Sequence, residues 1–290
     1  NSKVVVLDAD LAKATQTDKF ADLHSERFFD MGIAEQNMMG VAAGLATTGL
    51  IPFVSTFAVF ASMRAVEQFR NMIAYPNLNV KVVVTHGGTE NGGDGASHQS
   101  VEDIAIMRSI PNTTVIIPSD PISTMKAIKA VAEHHGPSYV RLGRLPTPYI
   151  YDDDFQFTIG KAVELTKGND VTIIAVGNMV ERALRAQKIL LEENIEARVI
   201  DLLTVKPLDI KMVLAAAKET KGIITVEDHS VIGGIGSAVS EYLSEVHPTK
   251  VLRIGLQDTF GDCGDPGVLQ EHFGLTVANI VEAAKRLMEG

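Results

Sequence analysis

Eight short runs rich in valine and isoleucine punctuate this sequence, each followed by a longer stretch of helical character. Extended run, helix and extended run make a βαβ unit, and a succession of such units builds a parallel sheet with helices on its faces. The expected strands are Val4–Leu7, Val80–Thr85, Val115–Ile117 and Tyr139–Leu142, then Val171–Val176, Arg198–Ile200, Ile223–Val226 and Val251–Ile254. Several are apolar throughout instead of alternating, as strands covered on both faces are. Polar residues or glycine follow them directly: Asp8, His86, Ser119, Gly177, Asp201, Glu227 and Gly255. Open α/β sheets form their sites beyond the carboxyl ends of strands, so these positions are where chemistry is to be sought.

The run Arg144-Leu-Pro-Thr-Pro-Tyr-Ile-Tyr-Asp-Asp-Asp-Phe interrupts the alternation. Two prolines followed by three acids continue neither a helix nor a central strand, which sets a domain boundary near residues 145–157. Each half then has strands and helices of its own and could bury its own core. A length of 290 residues suits two domains at roughly 150 residues each.

Charge narrows the function. The formal net charge is −10 and no Lys/Arg cluster stands out, which argues against a nucleic-acid surface. A small phosphorylated substrate needs only two or three placed cations and stays open. No apolar run approaches the ~18 residues of a membrane span, so no membrane partner is expected. The first residues, Asn1-Ser-Lys-Val-Val-Val, do not have the layout of a secretory signal. The one cysteine, Cys263, cannot form an internal disulfide, which suits a reducing cytoplasm.

Four segments carry residues of chemical interest. From Ile33 the chain reads as a helix of small residues with Glu35 in its first turn. An acidic side chain there is either a ligand or a plain response to the helix dipole. Ser55 to Arg64 reads as the opening of a second helix, with Phe57 and Phe60 three apart on one face. Such a pair either packs a core or stacks on a flat heteroaromatic ring. The strand ending at His86 runs into a loop with five glycines between Gly87 and Gly95, carrying Asp94 and His98. Glycines at that density suit close approach of backbone to a ligand. Last, Gly136 to Arg144 reads as a short strand ending in Arg144, where a guanidinium could clamp a phosphate.

In order and spacing these segments resemble transketolases over nearly the whole chain. Gly32-Ile-Ala-Glu-Gln, Thr56-Phe-Ala-Val-Phe, and Thr85-His followed by Asp94-Gly-Ala-Ser-His-Gln carry the resemblance. Glu227-Asp-His-Ser-Val-Ile-Gly-Gly-Ile-Gly and Phe260-Gly-Asp-Cys-Gly add to it further on. The resemblance implies an α/β chain of two three-layer α/β/α domains. Residues 1–148 would be a thiamine-diphosphate pyrimidine-binding domain and 157–290 a transketolase C-terminal domain. It implies that Glu35 hydrogen-bonds the cofactor pyrimidine and that Phe57 and Phe60 stack on it. Asp10 would approach the thiazolium side. His98 and Asp94 would meet the substrate near the reacting carbon, with proton transfer at His98, and His86 and Arg144 would meet the sugar phosphate.

Gly93-Asp94-Gly95 is not the magnesium-diphosphate motif, because Pro118-Ser-Asp-Pro-Ile-Ser-Thr stands where that motif requires asparagines. No metal ligand is therefore assigned here. The resemblance places thiamine diphosphate and Mg²⁺ at an interface whose diphosphate side belongs to a separate N-terminal transketolase subunit, with two copies of each subunit assembled. Ala14, Gly93 and Met63 depart from the family's usual residues. These departures bear mainly on phosphate contacts. Two rival readings are the matching half of a 1-deoxyxylulose-5-phosphate synthase and a non-catalytic nucleotide-binding module built on Gly233-Gly-Ile-Gly. The first usually lacks a histidine at the position of His86. For the second, a helix merely opened by glycines is the simpler account.

Overall fold

The computed structural model describes residues 1–289. Its strands are β1 Val4–Asp8, β2 Phe28–Asp30, β3 Ile51–Ser55, β4 Lys81–Val84, β5 Thr114–Ile116 and β6 Ser138–Arg141. After the linker come β7 Val163–Thr166, β8 Val171–Ala175, β9 Ala197–Asp201, β10 Thr204–Lys206, β11 Ile223–Ser230 and β12 Val251–Leu256. One sheet has seven strands in the order β10-β5-β6-β4-β3-β1-β2, the other five in the order β12-β11-β8-β9-β7. Pairing is parallel except for β10 on β5 and β7 on β9. Helices flank both sheets, so the chain is α/β as expected. Among the described residues no helix is long and apolar enough to cross a membrane.

All eight expected strands are present, and β2, β3, β7 and β10 were not expected. Two of these have only three residues, too few for a pattern. β3 contains Pro52, which speaks against a central strand. It is central all the same: β1 pairs along it from Ile51, whereas β4 pairs only from Phe53 onward.

Each half packs an apolar cluster largely of its own, but a further cluster joins the two. β10, from beyond the linker, closes the free edge of β5 with Thr204 opposite Ile116. Lys206 Nζ fastens it by donating to the carbonyls of Arg108 (2.9 Å) and Ile110 (2.6 Å). One apolar cluster then runs from Val115 and Ile117 to Ile174, Ile200, Leu202 and Val205. The linker is tied down as well. Asp120 accepts from the amides of Ile150 (2.9 Å) and Tyr151 (3.0 Å), and the Tyr151 hydroxyl donates to buried Asp201 (2.9 Å).

Candidate active site

Four strand-end segments of the seven-stranded sheet converge on one mouth. After β2, Asp30 accepts from the Gly32 amide (2.9 Å) in a left-handed turn at Gly32, and helix Glu35–Thr47 starts. Its first residue, Glu35, is only 1% exposed although it lies beside the mouth. A carboxylate there faces the positive end of the helix dipole. Its one side-chain partner is Arg64, whose Nη1 lies 3.0 and 2.9 Å from the two oxygens.

Helix does not begin at Ser55 as expected. Ser55 ends β3, and the backbone of Phe57 still bridges Thr85 beside β4 before a π-helical turn, Phe60–Arg64, begins. The two phenylalanines nevertheless share a face, their rings 5.8 Å apart and 17° from parallel. The Phe57 ring stacks on His86 at 3.8 Å, and His98 stands edge-on to Phe60 at 5.4 Å. Aromatic side chains at such spacings attract through dispersion and their quadrupoles.

His86 is 5% exposed, has φ of 63° and lies 2.8 Å from the Thr85 hydroxyl. Burial, reinforced by Arg144, pushes its imidazole down to about 4, so it is neutral at physiological pH. It can therefore offer an N–H or a lone pair but no charge. Asp94 and Arg144 are exposed. The strand before Arg144 ends at Arg141, three residues earlier than expected, so Arg144 sits on a loop.

Asp10 stands apart. β1 ends at Asp8, whose buried carboxylate accepts from the Leu11 amide (2.7 Å) and the hydroxyls of Thr15 (2.7 Å) and Thr17 (2.8 Å). The turn shaped in this way puts exposed Asp10 at φ 63° with its amide on Asp30 (3.2 Å). Among the described residues no hydrogen bond or ion pair joins Asp10 to Glu35, Arg64 or the histidines.

The glycine loop has a second purpose that its sequence conceals. A Cβ at Gly88 would strike the Asp228 carboxylate, and one at Gly92 would lie 2.5 Å from the Gly264 carbonyl. These glycines admit the C-terminal half, not a ligand. Asp228 accepts from the Thr89 amide (3.1 Å) and hydroxyl (3.0 Å), and Gln99 donates to the Asp262 carbonyl (2.8 Å). Glu90 accepts from the amides of Arg144 (2.9 Å) and Leu145 (3.0 Å) and from Asn178 (2.7 Å). Beneath them Arg141 pairs with Asp103 at 2.9 Å and donates to the carbonyls of Ser100 (3.1 Å) and Asp228 (2.9 Å). None of Glu90, Asp103, Arg141 and Asn178 was singled out in the sequence. Glu90 alone carried a signal, an acid amid glycines.

The mouth fits the pyrimidine end of thiamine diphosphate: a buried carboxylate lies beside aromatic faces, and two histidines flank them. Among the described residues no three His, Cys, Asp or Glu side chains gather to hold a metal ion.

Comparison with known proteins shows the family. The family description "Transketolase, pyrimidine binding domain" matches residues 1–148, and "Transketolase, C-terminal domain" matches residues 160–280. A Methanocaldococcus jannaschii protein described as a transketolase C-terminal section is 51% identical over 99% of this chain and 90% of its own length. A 6-deoxy-6-sulfo-D-fructose transketolase subunit of a Clostridium species is 44% identical, covering 100% and 90% respectively. Rat transketolase is 38% identical over 99% of this chain, which spans 46% of that protein. A solved split-gene transketolase, described as an inactive β4 tetramer, superposes with a TM-score of 0.91 at 49% identity. The match covers 100% of this chain and 93% of that one. The chain belongs to the transketolase family.

Proposed function

We propose that this chain is the pyrimidine-side subunit of a split transketolase, moving a two-carbon ketol unit from a ketose phosphate to an aldose phosphate. The observation carrying the reading is the buried Glu35 carboxylate set beside the near-parallel Phe57 and Phe60 rings. Thiamine diphosphate, when bound, supplies the carbon nucleophile for such a transfer. The Glu35 carboxyl would donate its hydrogen bond to the pyrimidine ring nitrogen and so favour the imino tautomer, and Phe57 and Phe60 would orient that ring. His98, edge-on to both phenylalanines, moves protons at the substrate hydroxyl and carbonyl. Asp94 holds a substrate hydroxyl. Arg144, a solvent-facing cation on a loop held by Glu90, meets the phosphate while neutral His86 adds a hydrogen bond. Asp10 contributes at the thiazolium side only from the next strand end.

The diphosphate and Mg²⁺ would be held by an N-terminal partner subunit, two copies of each forming the enzyme. The split-gene neighbour, itself described as an inactive β4 tetramer, supports a requirement for a second subunit. Relatives named for 6-deoxy-6-sulfo-D-fructose and for apulose 4-phosphate leave the sugar open within one reaction class.

The test is ketol transfer from xylulose 5-phosphate to ribose 5-phosphate with thiamine diphosphate and Mg²⁺, with and without a diphosphate-binding subunit. Activity is expected only in the mixture, falling at least ~100-fold in Glu35→Ala and in His98→Ala. A stable complex that transfers no ketol unit from this donor, from 6-deoxy-6-sulfofructose or from apulose 4-phosphate overturns the reading.

A further inference from the structure

The proposed chemistry leaves Arg64, at the mouth, without a task. Its guanidinium bonds both oxygens of Glu35 and lies 4.3 Å over the Phe60 ring. These are the carboxylate and one of the aromatic faces assigned above to the pyrimidine. A guanidinium is planar, carries N–H donors on its edge and stacks on aromatic faces, so it satisfies the same pair of partners as an aminopyrimidine would.

We propose that Arg64 is a built-in placeholder: in the free subunit it fills the pyrimidine position, and it must swing aside for the cofactor to enter. The inference rests on the reading of Glu35 and Phe60 as pyrimidine-binding residues. The two members of the pair are placed for such an exchange. Glu35 is 1% exposed whereas the Arg64 side chain is 46% exposed, so the arginine lies on the solvent side of the carboxylate and has a way out. It stands at the end of the π-helical turn closed by the Ala65 amide on the Phe60 carbonyl (3.1 Å), and rotation about its side-chain bonds alone frees the mouth.

The reason for a placeholder is physical. A carboxylate sealed from water with no partner is costly, and among the described residues Arg64 is the one side-chain partner Glu35 has. Arg64 keeps it satisfied in a subunit whose cofactor arrives only with a second chain. The consequence is a competition: the cofactor binds the fraction of molecules in which Arg64 has moved away, and its apparent affinity is lowered by that fraction.

The experiment is calorimetric titration of thiamine diphosphate with Mg²⁺ into the assembled two-subunit complex, comparing wild type, Arg64→Ala, Arg64→Met and Glu35→Gln. Arg64→Met keeps an apolar stem over Phe60 and removes only the charged head. Both Arg64 variants are expected to bind about fivefold more tightly, roughly 1 kcal/mol, as fits a pair that is half open to solvent. The isolated Arg64 variants should also melt at lower temperature than the wild-type subunit, since Glu35 loses its partner. Weaker binding would make Arg64 a direct cofactor contact, and unchanged binding would leave it a bystander; either overturns the placeholder. Wild-type binding that Glu35→Gln does not weaken, or no binding by any variant, sinks the pyrimidine-site reading itself.

Discussion

Both sheets end in polar residues at the carboxyl ends of their strands, yet those of the five-stranded sheet are spent on the protein, whereas the seven-stranded sheet spends Asp8 in the same way but leaves several groups in the segments after its other strands open to a mouth. In the former, Glu227 accepts from the amides of Ile235 (2.7 Å) and Gly236 (2.9 Å), holding the start of a helix. Asp201 takes the hydroxyls of Ser119 and Tyr151 and the Leu203 amide, and Asp228 takes Thr89. All three carboxylates are at most 1% exposed. In the seven-stranded sheet, Asp94 and Arg144 are open, His98 is half-buried, and Glu35 has only a half-exposed partner. Strand-end polarity therefore marks where a site can form. Whether one forms depends on whether the protein has already consumed the hydrogen-bonding capacity of those groups.

The sharpest way to break this contrast is to remove one carboxylate whose bonding the protein has consumed and one at the mouth. Asp103 is fully buried and holds Arg141 at 2.9 Å and the Tyr139 hydroxyl at 2.7 Å. Asp103→Ala strands a buried guanidinium and should cost about 3–5 kcal/mol of stability, read from urea unfolding of the isolated chain. Glu35→Ala should cost roughly 1 kcal/mol or less, because its partner can turn to water. Equal losses would erase the distinction between a structural and a functional carboxylate.

A second test uses pH. Burial raises the Asp201 carboxyl to about 7 from an ordinary 3.8, against the lowering pull of its hydrogen bonds. The folded state thus prefers the protonated acid. The stability this brings is fully present below about pH 4 and is lost as pH climbs to about 7. Asp201→Asn has no proton to lose and keeps acceptor and donor groups for Ser119, Tyr151 and Leu203. Its stability relative to wild type should therefore rise between about pH 4 and 7 and level off above, as urea midpoints across that range would reveal. A constant difference at every pH would show that Asp201 is ionised throughout.

The sequence made the α/β class and eight strands legible because apolar runs of parallel strands need no partner to be recognised. Glu35, Phe57, Phe60, His86 and His98 stand out because their segments resemble a family, and the structure brings them near one another. What stayed hidden depends on contacts between distant parts of the chain. β10 is three residues that become a strand only where β5 offers an edge. Arg64 reads as an ordinary helix-surface cation until Glu35, 29 residues away in sequence, is seen beneath it. The glycine loop misled in part. Its glycines suggested backbone close to a ligand, whereas Gly88 and Gly92 yield to Asp228 and Gly264 from the other half of the chain.

That last point supplies the finest test of the contrast, since one loop holds glycines of both kinds. Gly88 has φ of 83°, and an added Cβ would meet the Asp228 carboxylate. Gly93 has no such φ, and an added Cβ would have nothing within 4 Å. Gly88→Ala should cost about 1–3 kcal/mol from the backbone conformation alone, with the displaced carboxylate adding to it. Gly93→Ala should stay within about 0.5 kcal/mol of wild type in urea unfolding. Ketol transfer in the assembled enzyme should then separate the two in the opposite sense to stability per unit of change. Gly93 lies beside Asp94 on the open side of the loop, so with Asp94 in the role proposed for it a methyl there should raise KM without unfolding anything. If Gly93→Ala leaves KM untouched while Gly88→Ala changes it, the loop serves the site through its seam with the C-terminal half and not through its exposed tip.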